Sequence, residues 1–172
     1  MTLLPTLPRT KFLIPRPHPG TISRPHLVEE LERHSGKRLI LISTPPGYGK
    51  TTLLAEFARS TALPTTWCQL DATDSDPINF LTSFIQGLQH VRNQPEGRVN
   101  KPGLAALALL ENSPDGAMTT VTRRALTVLI NELVECMQGT WMVILEDYHE
   151  ITNPAVHELV DHLVENAPPD LT

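Results

Sequence analysis

The sequence contains little cysteine and no long apolar run. Its two cysteines, Cys68 and Cys136, lie far apart among 172 residues, so they form neither a disulfide framework nor a metal-ligand pair. We expect two buried thiols in a reducing cytoplasm. Uncharged apolar stretches such as 102–110 are too short to cross a bilayer. Three prolines interrupt residues 1–15, and we therefore do not expect a signal peptide there.

Positive charge is scarce in most of the chain. Residues 1–60 carry nine basic and four acidic side chains, whereas residues 61–172 carry five basic and fifteen acidic ones. Contacts to phosphates supply most non-specific DNA affinity, so this acidic part argues against a DNA-binding surface. The basic end could handle phosphate or be a solvated tail. With 40% apolar and 19% charged residues, the composition excludes disorder throughout, collagen and coiled coil.

Short apolar runs alternate with helical patterns along the chain, which has the length of one domain. Residues 1–23 are proline-rich and predict an extended N-terminal arm. No internal repeat is evident. Strands alternating with helices predict an α/β fold with a parallel sheet. The predicted strands are 38–43, 65–71 and 141–145; the predicted helices begin near 25, 50, 77, 122 and 154, and one more is possible within 92–118.

The segment TPPGYGKT at 44–51 lies between a predicted strand and a predicted helix, as a phosphate-binding loop requires. Glycines at 47 and 49 allow backbone N–H groups to surround phosphate oxygens at the start of the helix. Lys50 is expected to reach the β- and γ-phosphates, Thr51 to bind Mg²⁺ and Thr52 to assist at the α-phosphate. The predicted nucleotide-binding residues of the loop are Pro46, Gly47, Tyr48, Gly49, Lys50, Thr51 and Thr52.

Two other interpretations of this loop are weaker. A plain strand–turn–helix corner with a surface lysine would need no ligand. A dinucleotide site would need the third glycine of GxGxxG, which is absent, and gives Lys50 and Thr51 no role.

Two carboxylates close the third predicted strand. Glu146 and Asp147 follow the apolar run at 141–145. In phosphate-loop enzymes one such carboxylate holds Mg²⁺ and its neighbour orients the attacking water. We assign Thr51, Glu146 and Asp147 to the metal, and Asp147 and Lys50 to catalysis. An acidic strand end that merely faces solvent is the alternative.

Other clusters of metal-binding residue types fit worse. His157 and Glu158 begin a zinc-protease pattern, but position 161 is Asp where His is required. Asp71, Asp74 and Asp76 lack the glycine and distal Glu of a calcium loop, so helix capping explains them better.

Several segments occur in the order typical of one family. They are TKFLIPRP, ISRPHLVEELE, STPPGYGKTTLLAEF, WCQLDATDSDPINF and VILEDYHEITNPAVHELVDHLVENAPPDL. The chain resembles the MalT-like STAND nucleotide-binding domain of large LuxR-type transcriptional regulators. The resemblance implies a P-loop NTPase of the ASCE/STAND type that binds ATP or ADP with Mg²⁺ and switches a signal. For this part of the domain we expect slow or no hydrolysis. The resemblance also implies that Arg24 lies near the nucleotide base.

The same resemblance implies self-association of the full-length protein, and DNA binding only through a C-terminal helix-turn-helix domain absent from these residues. Thr44 and Glu146 depart from the family pattern, which has Gly and Asp there. In such domains the fourth of about five strands inserts between the first and third. Because the sequence stops at Thr172, we expect 24–172 to be the N-terminal part of the domain, truncated before that strand.

Two further function classes stay open. The chain could be a non-hydrolysing interaction module that associates with a full-length relative through an exposed sheet edge. A metabolic phosphate-loop kinase is the weaker alternative, because no substrate-binding or lid segment is visible.

Overall fold

The structure is a computed structural model that describes residues 4, 7–92, 101–112 and 118–172. These residues form α-helices, a two-stranded sheet and three short 3-10 helices at Arg9–Phe12, Ala72–Ser75 and Tyr148–Glu150. The helices are α1 (Pro25–His34), α2 (Lys50–Ser60), α3 (Pro77–Leu88), α4 (Leu104–Glu111), α5 (Met118–Cys136) and α6 (Pro154–Asn166). The strands are β1 (Thr65–Gln69) and β2 (Met142–Glu146).

The two strands run parallel, from the pair Thr65 and Met142 to the pair Gln69 and Glu146. Helices α3, α4 and α5 lie between them in sequence, which is the long connection that parallel strands need. The expectation of a mixed α/β structure with a parallel sheet is confirmed. The predicted strands at 65–71 and 141–145 correspond to β1 and β2.

Helices cover both faces of the sheet because successive side chains of a strand point to opposite sides. Met142 and Ile144 pack in a cluster with α1, α2 and Trp67. Val143 and Leu145 pack against the larger cluster, which includes Trp141 and side chains of the four later helices. The chain therefore has one apolar layer on each side of β1 and β2.

The prediction of a strand at 38–43, buried on both faces, is wrong. The structure has no strand there, although side-chain burial alternates along the segment. Ile40 and Ile42 pack against the cluster of α1 and α2, while Leu39 and Leu41 are 60% and 81% exposed. A strand is defined by backbone pairing with a neighbour, and no described residue pairs with this segment. Apolar composition alone could not reveal that.

Residues 170–172 reach the edge of β2 that faces away from β1. Trp141 N–H donates to the Asp170 carbonyl at 2.8 Å, and Val143 N–H donates to the Thr172 carbonyl at 2.7 Å. Trp141 and Leu171 form a parallel bridge. Farther along this edge, Leu145 has no backbone partner among the described residues.

Helix starts follow the sequence signals. The Asp76 carboxylate accepts from the N–H groups of Ile78 and Asn79, and Pro77 opens α3. Asn153 caps α6 in the same way, and Pro154 follows it. Such caps satisfy N–H groups that lack partners within the helix. Asp71 caps the 3-10 helix Ala72–Ser75, so helix capping is confirmed for the aspartates.

The possible helix within 92–118 is α4, while 93–100 and 113–117 lie outside the described residues.

The N-terminal arm is fixed by a buried cation. Lys11 Nζ lies 2.6 Å from Asp74 Oδ2 and 2.8 Å from Asp71 Oδ2. The hydrogen bond from Lys11 lowers the pKa of Asp71 to about 2. Burial opposes the charge on Lys11, but its hydrogen bonds to Asp71 and Asp74 leave the pKa of Lys11 raised. The arm is therefore anchored where β1 ends.

None of the described helices combines the length and apolar character that a membrane span needs.

Candidate functional site

The loop between residue 43 and α2 has the backbone of a tight turn. Gly47 and Gly49 have φ angles of 84° and 77°, in the left-handed region that glycine tolerates best. Gly49 is the N-cap of α2, which begins at Lys50. The first N–H groups of a helix have no partners within it, so this end presents free donors and positive partial charge.

The other predicted loop residues lie around this turn. Pro46 and Tyr48 are exposed in the turn, and Thr52 is exposed on the first turn of α2. Lys50 Nζ donates to the Thr44 carbonyl at 2.8 Å. The ammonium thus folds back over the loop from its own helix.

Thr51 and Glu146 meet although they are far apart in sequence. The Thr51 hydroxyl donates to Glu146 Oε1, which joins the first turn of α2 to the carboxyl end of β2. Glu146 is buried, and its Oε2 has no hydrogen-bond partner within the described part of the chain. Burial raises the pKa of Glu146, the Thr51 hydrogen bond opposes that rise, and the nearby Asp147 charge adds to it.

Asp147 is held beside Glu146 in an uncommon backbone conformation. Its φ of 57° is positive, which Asp tolerates better than most residues. Gln69 Nε2, at the end of β1, donates to Asp147 Oδ2. His149 Nδ1 lies 3.8 Å from Asp147 Oδ1. Asp147 therefore points its carboxylate along the end of the sheet rather than into a helix cap.

Arg24 connects the segment before α1 to the loop. Its guanidinium Nη1 donates to the Tyr48 carbonyl at 2.9 Å. A Cβ atom on Gly49 would lie 3.4 Å from Arg24 Nη2. Side-chain bulk at position 49 is therefore limited both by its φ angle and by Arg24.

A small cavity lies beside this contact, between residues 20–24 and one face of α2. Its volume is about 220 Å³. Thr52, Leu53 and Glu56 line it from the helix, and Ile22 and Arg24 line it from the opposite side. The cavity thus borders the loop at Gly49 without including Lys50.

The residues predicted to bind a metal supply oxygen atoms only. The Thr51 hydroxyl and the carboxylates of Glu146 and Asp147 lie at one end of the sheet. Within the described ranges, no group of three or more His, Cys, Asp and Glu side chains could hold a metal ion. The unpartnered buried Oε2 of Glu146 fits Mg²⁺, which prefers few protein oxygens together with water and phosphate.

Two residues of this region were not predicted from the sequence. Gln69 supports Asp147, and Glu56 accepts from the Ser23 hydroxyl and the Arg24 N–H. A polar residue at the end of the buried strand TTWCQ was a usable signal for Gln69. No sequence pattern marks Glu56, because its partners come from residues more than thirty positions earlier.

The relatives found by comparison with known proteins include two MalT regulators. The HTH-type transcriptional regulator MalT of Yersinia enterocolitica is 31% identical over 157 residues, which are 89% of this chain and 16% of that protein. MalT of Serratia proteamaculans has the same identity and coverage. No protein-family model matches the chain.

The similarity therefore extends along most of this chain but over a small part of each relative. The chain spans about a sixth of the length of these curated relatives. By its sequence, the chain is related to MalT-type transcriptional regulators.

Proposed function

We propose that the chain is the ATP-binding switch domain of a MalT-like, LuxR-type transcriptional regulator, with the P-loop NTPase fold of the STAND type. The contact between Thr51 and Glu146 carries the proposal. It joins the helix that follows the glycine turn to the acidic end of β2, the two parts that a phosphate-loop site needs together. The sequence similarity to MalT supports the regulatory context.

Each residue of the site has a separate role in this proposal. The N–H groups around Gly47 and Gly49 bind phosphate oxygens, and Lys50 leaves the Thr44 carbonyl to reach the β- and γ-phosphates. Thr51 and Glu146 would hold Mg²⁺, and the ion would supply positive charge that neutralises the phosphates. Asp147, supported by Gln69, orients a water molecule and accepts its proton, so any hydrolysis depends on it.

The departures from the family pattern favour a slow switch over an efficient ATPase. Glu146 is one methylene longer than the Asp of that pattern, and burial already disfavours its charged form. We therefore propose nucleotide binding with slow or no turnover. We also propose that the full-length protein self-associates and binds DNA only through a C-terminal helix-turn-helix domain.

A thermal melt tests the proposal directly. A ligand that binds only the folded state raises stability by RT ln(1 + [L]/Kd). We expect ADP, and ATP with Mg²⁺, to raise the melting temperature of the chain, and Lys50→Ala to abolish the rise. Lys37→Ala, at an exposed lysine outside the site, is the matched control and should keep it. A Lys50→Ala chain that responds like the parent would refute the proposal.

A second candidate is an interaction module that does not hydrolyse ATP and associates with a full-length relative. Two observations favour it. Among the residues that the structure describes, none pairs through its backbone with the edge of β2 beyond Val143 or with segment 38–43. Leu39 and Leu41 of that segment are exposed. Open strand edges readily pair with another chain. Sedimentation and pull-down with a full-length relative test it. A chain that stays monomeric at high concentration and captures no relative would exclude it.

A further inference from the structure

The cavity beside the loop has the size of part of a nucleotide. At about 220 Å³ it is smaller than the roughly 300–1,000 Å³ of pockets that enclose a whole ligand. It borders Gly49 and Thr52, where the proposed phosphate site ends. A nucleotide with its phosphates on the loop would therefore have its base, rather than its phosphates, in this cavity.

The walls of the cavity differ in chemistry. Ile22, which is 82% exposed, and Leu53 provide apolar surface for the faces of a planar base. Glu56 provides a carboxylate. Its Oε1 accepts from the Ser23 hydroxyl, and its Oε2 accepts from the Arg24 N–H at 3.3 Å.

The carboxylate has capacity for a further donor. Each oxygen of an ionised carboxylate offers two acceptor sites and no donor, and the contacts with Ser23 and Arg24 use one on each. An N–H group on the edge of a base would complete the hydrogen bonding of Glu56. A carbonyl oxygen at the same place would instead face negative charge.

We propose that Glu56 selects the base, accepting a hydrogen bond from the 6-amino group of adenine and disfavouring a 6-oxo purine. The inference rests on the proposed nucleotide-binding function and adds the residue that decides which nucleotide is bound. Glu56 lies one helical turn beyond Thr52 and two turns beyond Gly49, on the same face of α2. It is a specificity-determining residue and takes no part in the chemistry at the phosphates.

Glu56 also has a structural role that the test must separate from base selection. It holds residues 23 and 24 against α2, so removing it could weaken the binding of every nucleotide equally. Glu56→Gln keeps the shape and one acceptor but introduces an amide N–H₂, which can donate to a 6-oxo group. If Glu56 selects the base, Glu56→Gln changes the ratio between the affinities for different nucleotides. If Glu56 is only an anchor, the substitution changes all affinities by the same factor.

The experiment measures dissociation constants for the whole chain with three triphosphates. They are ATP, purine riboside triphosphate, which lacks only the 6-amino group, and inosine triphosphate, which has a 6-oxo group. Glu29→Gln, at an exposed glutamate of α1, is the control. For the parent and the control we expect ATP to bind about tenfold more tightly than either analogue, the cost of one hydrogen bond to a charged group.

The Glu56→Gln chain should lose most of the preference for ATP over inosine triphosphate while still requiring Lys50. Equal affinities of the parent for all three nucleotides would overturn the inference, and so would an equal weakening of all three in Glu56→Gln. Either result leaves the nucleotide-binding proposal intact if Lys50→Ala abolishes binding. Absence of nucleotide binding by the parent would overturn both.

Discussion

At the residue scale, Lys11 illustrates how one buried charge can hold a proline-rich segment in place. Its ammonium contacts Asp71 and the fully buried Asp74, which also accepts from the Ser83 hydroxyl at 2.6 Å. Removing one partner of a buried ion pair leaves the other charge without compensation. We expect Lys11→Met to lower the free energy of unfolding by about 3 kcal/mol, measured by urea denaturation at pH 7.

Two comparisons test whether loss of the ion pair causes the lower stability of Lys11→Met. Lys37→Met, at an exposed lysine, should change stability by less than about 0.5 kcal/mol. Because Lys11 holds the pKa of Asp71 at about 2, the stabilisation from Asp71 is complete above its unfolded pKa of about 3.9 and is lost as pH falls toward 2. The parent should therefore lose stability more steeply than Lys11→Met between pH 4 and 2. Parallel curves would exclude this explanation.

Glu146 is expected to lower stability in the absence of ligand. Burial raises its pKa, so the folded state favours the protonated carboxyl group over the carboxylate. Stability is then highest below the unfolded pKa and falls as pH rises through the folded pKa. We expect Glu146→Gln to raise the free energy of unfolding at pH 7 by about 1 kcal/mol while it weakens Mg²⁺-dependent ATP binding.

The two effects have separate measurements. Urea denaturation of the ligand-free chains gives the stability, and a melt with ATP, with and without Mg²⁺, gives the binding. Glu150→Gln, at an exposed carboxylate nearby, should change neither. A Glu146→Gln chain that is less stable than the parent at pH 7 would contradict the assignment of Glu146 as a buried, poorly solvated charge.

The sequence identifies most residues of the candidate site but not their contacts. Residues 44–52 and the pair Glu146 and Asp147 are candidates because glycines, a lysine and adjacent carboxylates follow recognisable spacings. Lys11 and Glu56 could not, since a lysine in a proline-rich arm or a glutamate on a helix has no pattern of its own. Only the folded chain brings their partners close.

At the element scale, α3 packs on β1 through a glycine. A Cβ atom on Gly87 would lie 2.3 Å from the Cys68 Sγ atom and 3.2 Å from Thr66 Cγ2. Alanine normally improves a helix by about 1 kcal/mol relative to glycine, but overpacking a tight contact costs more. We expect Gly87→Ala to destabilise the chain by about 2 kcal/mol, measured by urea denaturation.

Gly36→Ala is the matched control for this contact. A Cβ atom there meets nothing within 4 Å, so we expect a change of less than about 0.5 kcal/mol. If Gly87→Ala were as stable as the parent, α3 would not pack on β1 as closely as described.

The difference between β1 and the segment 38–43 shows which elements a sequence can predict. The sequence predicts a strand at both positions. β1 has β2 as a neighbour, whereas 38–43 has no backbone partner in the described part of the chain. Helices were easier to predict because their hydrogen bonds are local, and caps such as Asp76 and Asn153 lie beside them in sequence.

At the scale of the whole molecule, the chain has two apolar clusters on opposite faces of a narrow sheet. Trp67 belongs to the cluster with α1 and α2, and Trp141 to the cluster with the later helices. Alternating strands and helices predicted this layering, because a parallel sheet is covered on both faces. The sequence did not predict the side-chain contacts that connect the two layers in addition to the sheet itself.

Arg38 is one such link. Its Nη1 donates to the carbonyl groups of Val164 and Ala167 at 2.9 and 3.3 Å. These groups are at the end of α6, where a cation is favourable. The guanidinium thus joins the segment that precedes the glycine turn at 46–49 to the layer on the other side of the sheet.

We expect Arg38→Met to weaken this link by about 2 kcal/mol and to separate the unfolding of the two layers. Coincident transitions from different probes indicate two-state unfolding, and each tryptophan reports one layer. The measurement is the urea midpoint from Trp67 fluorescence in a Trp141→Phe background and from Trp141 in a Trp67→Phe background. Arg38→Met should lower the Trp67 midpoint more than the Trp141 midpoint, whereas Arg33→Met, at an exposed arginine of α1, should shift neither. Equal shifts in both backgrounds would mean that the sheet alone couples the layers and that Arg38 contributes stability without linking them.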